Sequence, residues 1–289
     1  MKVLTFADLH LRDTVPSCVD ATHEEWMKIQ CDALTKVYDI AVDNHVNEVY
    51  AGGDIFHSNA TASFECITMF QEFAEALDED GIRVRIMAGN HDLPGHSSTN
   101  VGKSAIGVLF NSNCVFDMKG SVIRGCNFDE DNYSGCKAIF KHILCIPEKD
   151  KPSFVECDTP ESLLNKYSAK FIFTGDYHRN FVYRSLDNRF VINSGCLTRQ
   201  ASDFEDYETG VYVTDLDKCE IKWCPVNVEQ KFVKNGVKKT VDRSVDDFVN
   251  GIKKESVTLD FIGTLRNELF KQNDSVKEKV NSWIDEIGQ

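Results

Sequence analysis

Four short segments of the sequence carry acidic, amide and imidazole side chains directly after runs of apolar residues. They are Asp-Leu-His at 8–10, Gly-Gly-Asp-Ile-Phe-His at 52–57, Gly-Asn-His-Asp at 89–92 and Gly-Asp-Tyr-His at 175–178. His142, within the apolar run 138–146, is a fifth candidate. Carboxylates, amides and imidazoles form a mixed oxygen and nitrogen ligand set, which suits Mn²⁺, Zn²⁺ or Fe and lacks the thiolates of a structural zinc site.

This supply of ligands exceeds the needs of one ion. A single octahedral metal takes about six ligands, water included. Two ions roughly 3.5–4 Å apart, bridged by a carboxylate and a water, would use the set well. Such a pair lowers the pKa of the bridging water and clamps a phosphate for in-line displacement. The residues that we expect to bind metal are Asp8, His10, Asp54, Asn90, His142, Asp176 and His178.

Each segment taken alone also has an ordinary explanation. The first could be polar residues at a strand end, and the third could be a turn, because Asn, Asp and Gly form turns. The occurrence of all the segments in order favours the metal site. Alternatives stay open for His142 as a core histidine, for Asp176 as a group that orients a ligand, and for His57 as a capping or turn residue.

The elements around these segments predict parallel βαβ units. Predicted strands at 2–7, 48–51 and 83–88 alternate with predicted helices at 22–45 and 63–77. In open α/β sheets, ligands bind outside the carboxyl ends of the strands. We therefore expect the polar segments to meet at one edge of the sheet.

The second half of the sequence is dominated by strands, with one short predicted helix at 160–167. The predicted strands lie at 114–117, 121–125, 138–146, 170–174, 181–184, 189–193, 210–215 and 220–225. The α/β chain is therefore predicted to form two packed sheets with helices outside, the first half parallel and the second half mixed.

A second, smaller domain is predicted at residues 226–289, after a first domain at residues 1–225. The smaller segment has 11 basic and 11 acidic residues, so the first domain carries the whole net charge of −14. Val276, Val280, Trp283, Ile284 and Ile287 form a helical stripe there. That stripe could pack within a small α/β cap or could dock a partner.

Composition bounds the class of protein. The 289 residues carry a net charge of −14, which argues against a protein that holds nucleic acid by charge alone. The apolar runs are too short to cross a bilayer, and the first residues do not resemble a signal peptide. The 11 cysteines are scattered and include no Cys-x-x-Cys pair, so we expect reduced thiols in a cytoplasmic protein.

The ordered motifs resemble those of the calcineurin-like metallophosphoesterases, over roughly residues 1–225. The resemblance implies their four-layer αββα sandwich. The Gly-Gly-Asp-Ile-Phe-His form at 52–57 and the stretch 193–200 are similar to the DNA-repair nuclease branch, whose SbcD-type subunits partner an SbcC-type coiled-coil ATPase. The short chain resembles the phage recombination-endonuclease versions, and the branch has a small capping domain where residues 226–289 lie.

The resemblance also implies a role for each candidate residue. Asp8, His10 and His178 would bind the first metal, Asn90 and His142 the second, and Asp54 would bridge them. The family usually has a histidine ligand of the second metal where this chain has Asp176. Since a carboxylate is a harder ligand, we expect Mn²⁺ or Mg²⁺ rather than zinc, with Mn²⁺ as the first choice.

His91 and His57 are the candidate catalytic residues that the resemblance implies. His91 would contact the scissile phosphate without binding metal, and would protonate or stabilise the leaving oxygen. His57 matches a second histidine near the substrate phosphate.

The predicted function is therefore a two-metal DNA nuclease subunit, acting by a metal-bridging hydroxide in DNA repair, recombination or replication. Its predicted partners are DNA and an SbcC-type ATPase, and a homodimer is possible. A general phosphoesterase of small phosphomonoesters or cyclic nucleotides is the first alternative. A non-catalytic scaffold on the same fold is the second.

Overall fold

The computed structural model of the chain describes residues 1–59, 62–133 and 135–233. Only the beginning of the predicted smaller domain, residues 226–233, belongs to this description. The Trp283 stripe and the rest of that domain lie outside the described residues, so the division into two domains stays a prediction.

The described residues alternate strands and helices in the predicted order. The strands are β1 (Lys2–Phe6), β2 (Glu48–Ala51), β3 (Arg83–Ile86), β4 (Val115–Asp117), β5 (Ile123–Gly125), β6 (Ala138–His142), β7 (Phe171–Gly175), β8 (Phe181–Arg184), β9 (Phe190–Asn193), β10 (Gly210–Asp215) and β11 (Glu220–Pro225). The α-helices are α1 (His23–Asp43), α2 (Phe64–Glu79), α3 (Ala105–Leu109) and α4 (Pro160–Lys166). Short 3-10 helices cover Pro94–His96, Ser98–Lys103, Glu148–Asp150 and Ser202–Phe204.

Two mixed sheets make up the centre of the molecule. The first has the order β11-β10-β1-β2-β3-β4, and the second β5-β6-β7-β9-β8. Strands β1 to β4 are parallel, as predicted, and in the second sheet only β8 is antiparallel to its neighbour. The last two strands join the first sheet, because β10 pairs antiparallel with β1 and covers the edge that β1 would otherwise expose.

Three apolar clusters separate the layers. Trp26 and Val37 of α1 and Phe70 of α2 pack with Phe6 of the first sheet. A second cluster fills the space between the sheets, and a third lies beside α4 on the second sheet. The order helix, sheet, sheet, helix confirms the predicted four-layer αββα fold.

Helix α1 begins where its sequence predicts. Thr22 accepts the backbone N–H of Glu25, whose side chain accepts the backbone N–H of Thr22, so the two form a capping box. Helix α3 was not predicted, since its five residues are too short for a periodic apolar stripe.

The cysteines and the helices bear on the remaining expectations from composition. None of the 11 cysteines forms a disulfide, and six of them are buried. In the part of the chain that the structure describes, no helix has the length and hydrophobicity needed to cross a membrane.

Replacing Phe140 with alanine should lower the free energy of unfolding by about 3–5 kcal/mol. Its ring is 1% exposed between the two sheets and packs against Phe173 and the backbone of Gly52, so truncation leaves a cavity. Urea denaturation measures the change. The matched control is Phe154→Ala, because Phe154 is 87% exposed and should shift the free energy by no more than about 0.5 kcal/mol. Equal effects of the two changes would contradict this account of the core.

Candidate metal centre

The predicted polar segments follow five strands whose carboxyl ends lie at one edge of the two sheets. The loops after β1 and β2 run side by side, with Asp8 and His10 donating backbone N–H groups to the carbonyls of Gly53 and Asp54. Strand β6 ends at His142, opposite Gly175 at the end of β7. His142 therefore lies at this edge, not inside a longer strand as its apolar run predicted.

Asp54 occupies the middle of this edge. Its Oδ2 is 3.3 Å from Nε2 of His142 and 3.8 Å from Nε2 of His10, while its Oδ1 accepts the backbone N–H of His91 at 2.9 Å. One oxygen thus faces two imidazoles from different sheets. This is the position that a ligand shared by two ions would need.

His10 and His178 lie on one side of Asp54. Their Nε2 atoms are 3.1 Å apart, and a carboxylate oxygen of Asp8 lies within 4.8 Å of the ligand atoms of both. Two nitrogens each about 2.1 Å from one ion, at right angles, would be ~3 Å apart. The spacing of the two rings therefore fits a shared metal ion.

His142 lies on the other side of Asp54. Its Nδ1–H donates to the carbonyl of Gly52 at 2.9 Å, so Nε2 is the ring nitrogen that faces Asp54 Oδ2 and Asn90 Oδ1. Burial lowers the pKa of His142, but the Asp54 carboxylate outweighs this and raises the pKa to about 10. Without a metal ion, a proton on Nε2 compensates the Asp54 carboxylate, and a divalent ion bound at this point would take the place of that proton.

His91 and His57 lie beside this cluster. The Nδ1–H of His91 donates to the carbonyl of His57 at 2.7 Å, so Nε2 of the exposed His91 ring is left free. The two rings are stacked with centroids 5.9 Å apart, and each contributes a ligand atom within 4.8 Å of one of His10. Burial and the nearby Arg12 guanidinium lower the pKa of His57 to about 4, so that ring is neutral at pH 7.

Asp176 contacts the site through its backbone. Its N–H donates to both carboxylate oxygens of Asp8, at 2.9 and 3.0 Å. Its carboxylate belongs to none of the three groups of converging ligand atoms among the described residues. The role of Asp176 as a ligand therefore stays a prediction.

Several residues at this edge have positive φ angles, which residues other than glycine rarely adopt. Asp8, His10 and Asp54 have φ of 53°, 49° and 51°. Gly53 has φ of 97°, and a Cβ there would lie 2.7 Å from the backbone nitrogen of Gly89. Such strain is typical of functional sites and requires surrounding structure to hold it.

Asp92 is a positioning residue that the sequence reasoning did not single out. It is 1% exposed, and it accepts backbone N–H groups from Ile55 and Phe56 after β2 and from Gly89 after β3. Burial, reinforced by the charge of Asp54, raises its pKa to about 7. Its place at the end of the Gly-Asn-His-Asp motif is the feature of the sequence that points to a role for Asp92.

Replacing Asp92 with asparagine should lower the free energy of unfolding by about 1–3 kcal/mol, because an amide nitrogen would face backbone N–H donors that lose their acceptor. Asp43→Asn is the matched control, since Asp43 is exposed near the end of α1. Urea denaturation of both variants measures the difference. Unchanged stability of the Asp92 variant would show that the carboxylate does not hold the two loops together.

Part of this chain is similar in sequence to a phage protein. Exonuclease subunit 1 of Enterobacteria phage T4 is 30% identical over 94 residues, which are 32% of this chain and 26% of that protein. The match thus spans about a quarter of the length of the phage protein.

Two solved structures are similar at low sequence identity. A dimetal phosphatase from Danio rerio is 12% identical, with a TM-score of 0.47, covering 80% of this chain and 98% of that chain. A nuclease from Pseudomonas putida is 10% identical, with a TM-score of 0.34, covering 77% of this chain and 86% of that chain.

The family model for calcineurin-like phosphoesterases matches residues 1–180. That match contains all five segments from which the candidate centre is built. Because it extends over more than half of the 289 residues, the chain belongs to the calcineurin-like phosphoesterase family.

Proposed function

We propose that this phosphoesterase is a two-metal DNA nuclease subunit, acting in DNA repair, recombination or replication. The observation that carries the proposal is the position of Asp54 Oδ2 between the imidazoles of His10 and His142, with the exposed His91 beside them. The partial match to the phage exonuclease subunit supports a nucleic acid as the substrate.

The proposed metal site consists of two halves that share Asp54. Its proposed ligands are Asp8, His10, Asp54, Asn90, His142, Asp176 and His178. None of the converging groups among the described residues contains a cysteine, and a set of oxygen and imidazole ligands suits Mn²⁺, with Mg²⁺ as the second choice. Two divalent ions bound there would supply an activated water and a clamp on the phosphate oxygens.

Wild-type protein loaded with Mn²⁺ and then desalted should hold two ions per chain by elemental analysis. Replacing His142 with alanine should reduce this to about one, because it removes the buried imidazole that faces Asp54 and Asn90. The matched control is His45→Ala. His45 is exposed just after the last residue of α1, so its replacement should leave the metal content unchanged. Two ions in the His142 variant would contradict the proposed ligand set.

His91 is proposed to act on the leaving oxygen. Its Nδ1–H is committed to the carbonyl of His57, which fixes the tautomer and directs Nε2 outward. In the imidazolium form, which carries a second proton on Nε2, that proton could pass to the leaving oxygen and leave the neutral Nδ1–H ring behind. His57 is neutral at pH 7 and accepts a hydrogen bond from Arg12 on Nε2, so it suits an orienting role near the phosphate rather than proton donation.

The test of function is hydrolysis of a linear DNA duplex and of a small chromogenic phosphodiester, each with Mn²⁺. We expect the wild type to cleave DNA, and His91→Ala to lose about 10²–10⁴-fold in rate while keeping its metal content. His45→Ala should cleave at the wild-type rate. Full activity of the His91 variant would refute the role given to that residue.

The same assays separate the alternatives. Strong turnover of the small ester with none of DNA would favour a general phosphoesterase. Absence of both bound metal and hydrolysis would favour a scaffold without catalysis.

A coiled-coil ATPase of the SbcC type is the proposed partner, in the cytoplasm of the cell or of the phage host. The phage relative is itself named as a subunit, which supports an assembly. The net charge of −14 supports it too, because the isolated chain should bind DNA weakly in physiological salt. A homodimer would also strengthen DNA binding, because two chains would contact the same DNA.

A further inference from the structure

Arg12 lies at the border of the candidate metal centre without belonging to it. Its Nη1 donates to Nε2 of His57 at 2.9 Å, and its Nε donates to the carbonyl of Thr14 at 2.8 Å. The His57 ring is in turn 5.7 Å from the ring of His10, between centroids. The guanidinium therefore contacts a ring that itself lies beside His10, one of the proposed ligands.

This guanidinium has no carboxylate partner. Within the described ranges, no carboxylate oxygen lies within 4.0 Å of it. Three other arginines of the chain form salt bridges with carboxylates. Those arginines are Arg85 with Glu48, Arg179 with Asp203 and Arg189 with Asp187. Because Arg12 is half-buried and its charge is uncompensated, an anion that reached it would be bound favourably.

The backbone of Arg12 is held in place by helix α1. The fully buried Gln30 accepts the N–H of Arg12 at 3.0 Å and donates to its carbonyl at 2.9 Å. Trp26 also donates its indole N–H to that carbonyl, at 2.9 Å. Two buried polar side chains thus orient one loop residue, which is the support that a preorganised binding group requires.

We propose that Arg12 binds a phosphate of the DNA strand adjacent to the scissile one, and thereby favours polynucleotides over small phosphodiesters. The inference rests on the proposed nuclease function. The guanidinium hydrogen-bonds to His57, which is not one of the proposed metal ligands, so it suits a neighbouring phosphate better than the one being cleaved. A small diester has no such second phosphate and would gain nothing from the contact.

The test compares wild type and Arg12→Gln on a single-stranded oligonucleotide and on the p-nitrophenyl ester of thymidine 5′-monophosphate. For the oligonucleotide we expect kcat/KM to fall about tenfold or more, mainly through KM, because a charge-assisted hydrogen bond is lost. The slope of log kcat/KM against log salt should flatten by ~0.7. Turnover of the small ester should fall by a much smaller factor, because only the support of His57 is lost there, and a cooperative urea denaturation curve shows that the variant is folded.

Arg83→Gln is the matched control, since Arg83 is exposed at the opposite end of β3 and should change neither substrate nor salt slope. Equal losses on both substrates would overturn the proposal, because Arg12 would then act only by holding His57. Unchanged KM and salt slope on the oligonucleotide would overturn it as well. A wild type that does not cleave DNA would contradict the nuclease function itself, and this inference with it.

Discussion

The carboxylate of Asp54 is the group on which the rest of the site depends. It is buried, and burying an ionised carboxylate is unfavourable unless hydrogen bonds and cations compensate for the lost water. The backbone N–H of His91 donates a hydrogen bond to one of its oxygens, and the imidazoles of His10 and His142 face the other. The His142 ring meets the same requirement, because its Nδ1–H is held by the carbonyl of Gly52 and its Nε2 is turned toward Asp54.

Both sheets contribute to this compensation. Asp54 and Asn90 follow strands of the first sheet, whereas His142 and His178 belong to the second. Their separation is therefore set by the apolar layer between the sheets, in which Phe140 lies. Because such interiors are close-packed, a change in that layer would be felt as a change in the spacing of the ligand atoms.

The net negative charge of the chain is compatible with the proposed DNA substrate, because salt screens electrostatic interactions over short distances. Exposed charges further apart than about 8 Å are largely screened at physiological ionic strength. What matters to an approaching phosphate is the charge nearby, which bound divalent ions and an unpaired guanidinium at Arg12 would make positive. The surplus of acidic residues elsewhere then bears on overall affinity and on the need for a partner, more than on the reaction.

The sequence by itself determined the family and the αββα class, and it indicated which strand ends would bring polar residues together, because strand-end motifs and helical stripes are local patterns. Tertiary structure alone decided that β10 and β11 complete the first sheet, and that Asp92 ties two loops together. It also decided that Asp176 meets Asp8 through its backbone, and that Gln30 orients Arg12. These are contacts between residues distant in the chain, and periodicity along a sequence cannot identify such partners.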